Sequence, residues 1–316
     1  MIRVGTRGSR LALTQTDGVI QQLEKESPDH KFKRIIIRTS GDKIKTIKEL
    51  RNAGKGVFTK EIEQALLTSK IDLAVHSAKD LPTEMEKQLQ VGAFLKREDP
   101  ADAFVGRTTT KLEHLSPGSE VGTASLRRQA FLKAFHPKLK PVDLRGNLDT
   151  RLEKISAPRE KMAGIIVAAA GLNRIQYRGR NPVERLSVDQ FVPAAGQGAL
   201  AIQCRTGDQK QLSVLASIHD NTTARCVEIE RAVQHRLEGG CQVPMGIFSE
   251  SPEENLLRVT VAISSLDGLD LIQESASGSW EDPEGLTEAI LLLLERKGAQ
   301  ELLESLPRRT DPAKKK

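Results

Sequence analysis

The chain alternates short β-branched runs with helix-length stretches whose apolar residues recur every three or four positions. Strand-like segments fall at 2–4, 32–38 (FKRIIIR), 71–75, 120–121, 141–144 and 165–167. Helical patterns run over 11–25, 57–67, 126–135 and 148–155 between them. Such alternation predicts α/β domains with largely parallel sheets. Two polar or Pro/Gly-rich stretches, KREDPADAF (96–104) and FVPAAGQGALAIQCR (191–205), read as crossovers between units. From about residue 220 the character changes. A helical pattern over 224–237 runs to Gly239 and Gly240, a stop signal. Strand patterns at 256–264 and 269–277 and a helix at 283–297 then predict a third, α+β domain. A length of 316 residues accommodates two or three domains.

Charge divides along the same lines. Residues 1–219 hold 37 basic and 24 acidic side chains, a net of +13. Residues 220–306 hold 6 and 17, a net of −11, and the tail 307–316 holds 5 and 1, a net of +4. Such asymmetry reads either as separate domains, one of them facing anions, or as ordinary solvated surface. Eight Phe, one Tyr and one Trp are too few for a base-stacking platform, which argues against nucleic acid. No apolar run reaches the ~18 residues of a membrane span. The opening MIRVGTRGSRLAL lacks a secretory layout, and three scattered cysteines make neither a disulfide framework nor a zinc site. A reducing cytoplasm and no metal are expected.

Three predicted strand-to-helix junctions pair a Gly or hydroxyl residue with Arg: Gly5–Arg10, Gly122–Arg128 and Leu144–Asn147, with Arg151 a turn later. A helix N-terminus offers free N–H groups and the positive end of the dipole, and Arg adds a planar fork for carboxylate or phosphate. Three such junctions ask for a ligand with several anionic groups, whereas one alone is ordinary helix capping. The segment 42–56 (DKIKTIKELRNAGKG) reads either as a solvated loop or as a lid bringing Arg51, Lys55 and Lys60 over an anion. It lacks GxxxxGK[ST], so nucleotide is not favoured. His76 to Pro82 follows an apolar strand, at the end where α/β sheets place ligands. Asp80 is its candidate acid and Lys79 an anion anchor, though a structural turn fits equally. Cys241 lies between Gly239-Gly240 and Pro244, in a loop. Cys204 and Cys226 lie in a strand and a helix and read as small core residues.

Taken together, the motifs resemble the porphobilinogen deaminase (hydroxymethylbilane synthase) family. TRGSRLAL (6–13), AGKGVFTKEIEQAL (53–66), DLAVHSAKDLPTE (72–84), REDPADAF (97–104), VGTASLRRQA (121–130), LRGNLDTRL (144–152), AAAGLNRI (168–175), PAAGQGALAIQCR (193–205) and LEGGCQVPMG (237–246) fall in the family's order over almost the whole chain. The resemblance implies two lobes of the type II periplasmic-binding-protein kind, joined by two crossovers, plus a third α+β domain. The divisions are 1–97 with 196–219, then 98–195, then 220–316. It implies a dipyrromethane cofactor on Cys241 by a thioether bond. It further implies that four porphobilinogen molecules add head to tail, each losing ammonia, and that hydroxymethylbilane is then released by water. Asp80 would be the catalytic carboxylate, protonating the leaving amine and stabilising the azafulvene cation and pyrrole nitrogens. Arg7, Ser9, Lys55, Ser77, Lys79, Thr123, Ser125, Arg127, Arg128, Arg145, Gly146, Arg151, Arg174 and Gln197 fall on binding positions, and Phe58 on one that stacks against a pyrrole. The implied protein is a cytoplasmic monomer. At position 51 this chain has Arg where many bacterial members have Lys. A non-catalytic anion-binding module explains the two lobes, but not a thiol outside them or an acid among cations.

Overall fold

The computed structural model describes residues 1–42, 56–157, 160–237 and 243–306. Its strands are β1 (Ile2–Thr6), β2 (Phe32–Ile36), β3 (Leu73–Ser77), β4 (Leu89–Phe94), β5 (Asp102–Gly106), β6 (Glu120–Gly122), β7 (Lys140–Val142), β8 (Gly164–Ala168), β9 (Val183–Arg185), β10 (Leu200–Arg205), β11 (Met245–Glu253), β12 (Leu256–Ser264) and β13 (Leu271–Ser279).

Two five-stranded sheets repeat one plan, in the orders β2-β1-β3-β10-β4 and β7-β6-β8-β5-β9. In the first, β1 runs parallel to β2 and β3, while β10 is antiparallel to β3 and β4. In the second, β6 runs parallel to β7 and β8, while β5 is antiparallel to β8 and β9. This is the two-lobed type II arrangement. In each sheet four strands run the same way and one, β10 or β5, runs against them, so the sheets are largely parallel with a single antiparallel strand that a crossover contributes. The stretch 96–104 ends inside β5, and 191–205 ends in β10. Strands β4, β5, β9 and β11 were not visible in the sequence pattern, and the 71–75 segment proves to be β3, displaced to Leu73–Ser77.

The helices start where side chains satisfy their free N–H groups. Ser9 accepts from Ala12 N at 3.3 Å and opens Arg10–Glu26, whose Val19 and Leu23 are wholly buried on the first sheet. Ser125 accepts from Arg128 N at 3.4 Å and opens Leu126–Phe135. Both junctions thus carry the cap expected of them. Asn147, at the start of Leu148–Ser156, makes no side-chain cap.

The third unit packs the helices Asn221–Arg236, Pro283–Arg296 and Ala299–Ser305 against the antiparallel sheet β11-β12-β13. Strand β12 shows the alternation that drives this. Leu257, Val259, Val261 and Ile263 are fully buried against Ile229, Val233, Leu286 and Ile290. Each such side chain contributes about 1.5–3 kcal/mol of hydrophobic free energy. Ala262, on the opposite face, packs into the second-lobe core beside Phe191 and Val192. No helix among the described residues is long and apolar enough to cross a membrane.

Candidate active site

The register of the two antiparallel strands decides what meets at the sheet ends. Leu200 of β10 lies across from Ser77 of β3, and Ala78 N donates to Ala199 O at 3.0 Å. The crossover before β10 is thereby laid against the turn Ala78–Asp80. In the second lobe Asp102, the first residue of β5, lies across from Ala168 at the end of β8. Both crossovers therefore arrive at the carboxyl ends of parallel strands, where α/β sheets bind ligands.

Asp102 is wholly buried, and its carboxylate takes both neighbouring guanidiniums. Arg128 Nη2 and Nε donate to Oδ1 at 2.7 and 3.0 Å, Arg127 Nη2 donates to Oδ1 at 3.1 Å, and Arg127 Nη1 stands 2.8 Å from Oδ2. Burial by itself raises this carboxyl, but the two guanidiniums outweigh it and hold it well below the usual carboxylate range. Arg127 also donates to Val192 O at 2.7 Å, and Arg128 to Ile166 O at 3.2 Å. Expected as anion-binding groups, these two Arg side chains are engaged inside the protein and only 4% and 5% exposed.

Gln197 joins this cluster to the other lobe. Its Nε2 donates to Pro100 O at 2.7 Å and to Asp102 Oδ1 at 2.8 Å. Its Oε1 accepts from Lys79 Nζ and Arg128 Nη2, both at 3.3 Å. The amide is saturated and buried, so it braces the cations around it. Gly198 follows at φ +91°, and a Cβ there would strike the Glu98 carbonyl, so the crossovers touch backbone to backbone. Arg174 Nη2 donates to Gly198 O at 2.6 Å.

The turn after β3 presents Asp80 to solvent and Lys79 half-buried. Burial, aided by the Arg128 charge and opposed by Asp80, lowers the Lys79 ammonium to about 8. Ser77 Oγ accepts from Gln15 Nε2 at 3.3 Å. His76 is buried, with Nε2 3.1 Å from Gln203 Oε1, while Gln203 Nε2 donates to Glu63 Oε1 at 3.1 Å. Burial lowers His76 to about 4 against the Gln203 hydrogen bond, so the ring is neutral at working pH. With His76 occupied, Asp80 is the exposed acid of this segment.

The Arg7 guanidinium lies over the Phe58 ring, 4.2 Å from its centroid. Phe58 thus supports Arg7 with the face expected to meet a pyrrole. Thr123 is buried, with Oγ1 accepting from Ser125 N at 3.3 Å. Gly146, at φ +121°, turns its carbonyl to Arg151 Nε at 2.9 Å. Arg151 is lowered to about 10, by burial first and then by the charges of Arg128 and Arg145. Burial likewise lowers Arg174 to about 10. Like charges are therefore packed together at the strand ends. Arg51, Lys55, Cys241 and the tail 307–316 lie outside the described residues. Cys204 is raised to about 11 and Cys226 to about 12, each chiefly by burial. A cavity of about 390 Å³ lies on the second lobe and is lined by residues that include Asp99, Ala103, Leu172, Tyr177 and Arg185.

Sequence reasoning passed over Asp102, Gln15 and Glu98, the last of which accepts from Asn173 Nδ2 at 3.0 Å. Asp102 and Glu98 stand in REDPADAF, and their signal was an acid kept within an otherwise cationic region.

Cations held against one another where two lobes meet, with an acid at the end of a strand, give the class: a two-lobed protein whose strand ends suit a multiply anionic ligand. Comparison with known proteins gives the particular family. The model described as porphobilinogen deaminase, dipyromethane cofactor binding domain, matches residues 2–213. The model for the porphobilinogen deaminase C-terminal domain matches residues 224–295. The porphobilinogen deaminases of Bacillus velezensis and Bacillus subtilis are each 41% identical over 310 residues, 98% of this chain and 98% of theirs. That of Carboxydothermus hydrogenoformans is 42% identical over 305 residues, 96% of this chain and 97% of its own. The chain belongs to the porphobilinogen deaminase family, transferases of tetrapyrrole synthesis that use a dipyrromethane cofactor.

Proposed function

We propose that Asp80 and the cations assembled around Gln197 carry out the stepwise head-to-tail condensation of four porphobilinogen molecules to hydroxymethylbilane. The observation that carries this is the bridge from Lys79 through Gln197 to Arg128, which brings the Asp80 turn of one lobe to the cation cluster of the other. Porphobilinogen bears an acetate and a propionate on each ring, so substrate and product both require many cation contacts. Arg7, Lys79, Arg145, Arg151 and Arg174 meet these carboxylates, with Lys55 closing from its own segment. The helix starts at Ser9 and Ser125 add N–H groups, with Thr123 holding the second through its hydroxyl. Ser77 and Gly146 shape the same junctions. Arg127, Arg128 and Gln197 hold this set in place and supply positive field.

The same donor set fits dipyrromethane, whose rings carry the same acidic groups. Cys241 is the thiol that holds it by a thioether, since burial suppresses the thiolates of Cys204 and Cys226. When bound, the cofactor supplies the terminal pyrrole carbon that primes the chain. Asp80 manages protons at the leaving amine, and its carboxylate balances the cation that develops as ammonia departs. Phe58 steadies Arg7 and borders the ring being added. The chain divides into 1–97 with 196–219, 98–195 and 220–316, and acts as a cytoplasmic monomer without metal or nucleic acid. Intact-mass measurement of active enzyme tests the reading. The expected mass exceeds that of the chain by two linked pyrrole units, and Cys241→Ser abolishes the excess. An active preparation with the bare-chain mass overturns it.

A further inference from the structure

Arg10 is the first residue of the helix Arg10–Glu26, whose first turn holds no acidic residue. A cation there opposes the helix dipole. Its partner lies 139 residues away on the other lobe: Arg10 Nη1 donates to Asp149 Oδ1 at 3.0 Å. Asp149 stands in the first turn of Leu148–Ser156, where the dipole favours a carboxylate. Beside the pair, Leu11 and Leu148 both pack on the second-lobe core. A Cβ on Gly171 would lie 3.1 Å from Leu148 Cδ2 and 3.7 Å from Leu11 Cδ2, so these leucines come together over that glycine. Two helix starts, one from each lobe, are thus fastened by an apolar contact and an ion pair. Each follows directly on an anion-binding junction, Arg7 to Ser9 in one lobe and Arg145 to Gly146 in the other.

We propose that Arg10 and Asp149 form a pair of positioning residues that hold the two junctions at their working separation. The effect on substrate binding rests on the site reading given above; the effect on lobe separation does not. The two side chains are 66% and 26% exposed, so the pair is screened by water. Its loss shifts the lobe equilibrium, and with it apparent affinity, by about two- to fourfold.

A double-mutant cycle on the holoenzyme tests the pair with Arg10→Ala, Asp149→Ala, the double variant, and the exchange Arg10→Asp with Asp149→Arg. Interlobe distances are read by pulsed electron resonance from spin labels at Lys25→Cys and Lys138→Cys. Each single variant is expected to raise KM for porphobilinogen by about two- to fourfold, leave kcat within about twofold, and broaden the distance distribution. The double variant does no more than either single, the exchange restores both readouts, and high salt erases the difference. Effects that multiply in the double variant, an exchange that restores nothing, or unmoved distances overturn the proposal. Arg145→Met tests the site reading separately. If KM does not respond to it, that reading falls, and the distances still decide whether the pair holds the lobes.

Discussion

Replacing Asp102 with Asn removes the one carboxylate that, among the described residues, pairs with the two buried guanidiniums of Arg127 and Arg128. Its carboxylate is fully buried and meets Arg127 and Arg128 at 2.7–3.1 Å. An amide keeps the shape but leaves two cations with no buried counter-charge at this position. Breaking a buried pair from one side costs about 3–5 kcal/mol. That is a large share of the roughly 5–15 kcal/mol that holds a domain. At a urea slope of about 2–3 kcal/mol per molar, the midpoint of the transition falls by about 1–2.5 M. Asp99→Asn serves as control: its pair with Arg185 is more exposed (22% and 55%) and contributes under about 1 kcal/mol. The pH dependence has a definite sign. The folded carboxyl titrates below its unfolded value, so its stabilisation is complete above the unfolded pKa of about 4 and is lost as pH falls through the folded one. The gap between wild type and Asp102→Asn therefore narrows in acid. A midpoint within about 0.2 M of wild type at neutral pH, or a gap that widens in acid, refutes the assignment of Asp102 as the buried counter-charge.

Lys79 loses its charge near pH 8, so KM for the anionic substrate rises above that pH, whereas Lys79→Met has a high KM that is flat across the same range. Its folded pKa lies below the unfolded ~10.4, so its contribution to stability increases from about pH 8 upward, which urea titrations at pH 7 and 10 on both forms will show. Asp80→Asn keeps the wild-type circular dichroism and lowers turnover by about 10²–10⁴-fold, because an amide can neither take up a proton nor carry the balancing charge. Alkylation of native Cys241→Ser at pH 8 leaves Cys204 and Cys226 unmodified by mass, since burial keeps both protonated, and denaturant exposes them.

How much the sequence reveals depends on whether the signal is local. Leu126–Phe135 was legible to the residue because Ser125 caps it and the following Pro137 forbids continuation. Strand β9 has three residues and no pattern to read. The direction of β5 and β10 is a property of the crossovers and leaves no trace in their composition. In the site, Lys79 and Asp80 were visible as an acid and a base after an apolar strand. Asp102 looked like one more surface acid in a polar connection, and only the pairing of β5 with β8 buries it. Gln197 was placed among the binding residues by its motif. Its role as a brace depends on four partners, drawn from the turn after β3, the approach to β5, Asp102 itself and the helix Leu126–Phe135. Arg10 and Asp149 meet across 139 positions, beyond the reach of any local pattern.

The place of β10 between β3 and β4 also sets an order of events during synthesis. Strands β5 to β9 are contiguous in the chain, so the second lobe can close its sheet as soon as residue 185 is available. The first lobe begins earlier but finishes later. Strand β4 joins its sheet only through β10, and until residues 200–205 emerge both β3 and β4 present unpaired edges. The amino-terminal segment is thus made first and completed second, and a nascent chain whose emerged part ends between residues 185 and 200 should display a protease-resistant second lobe beside a protease-sensitive first one.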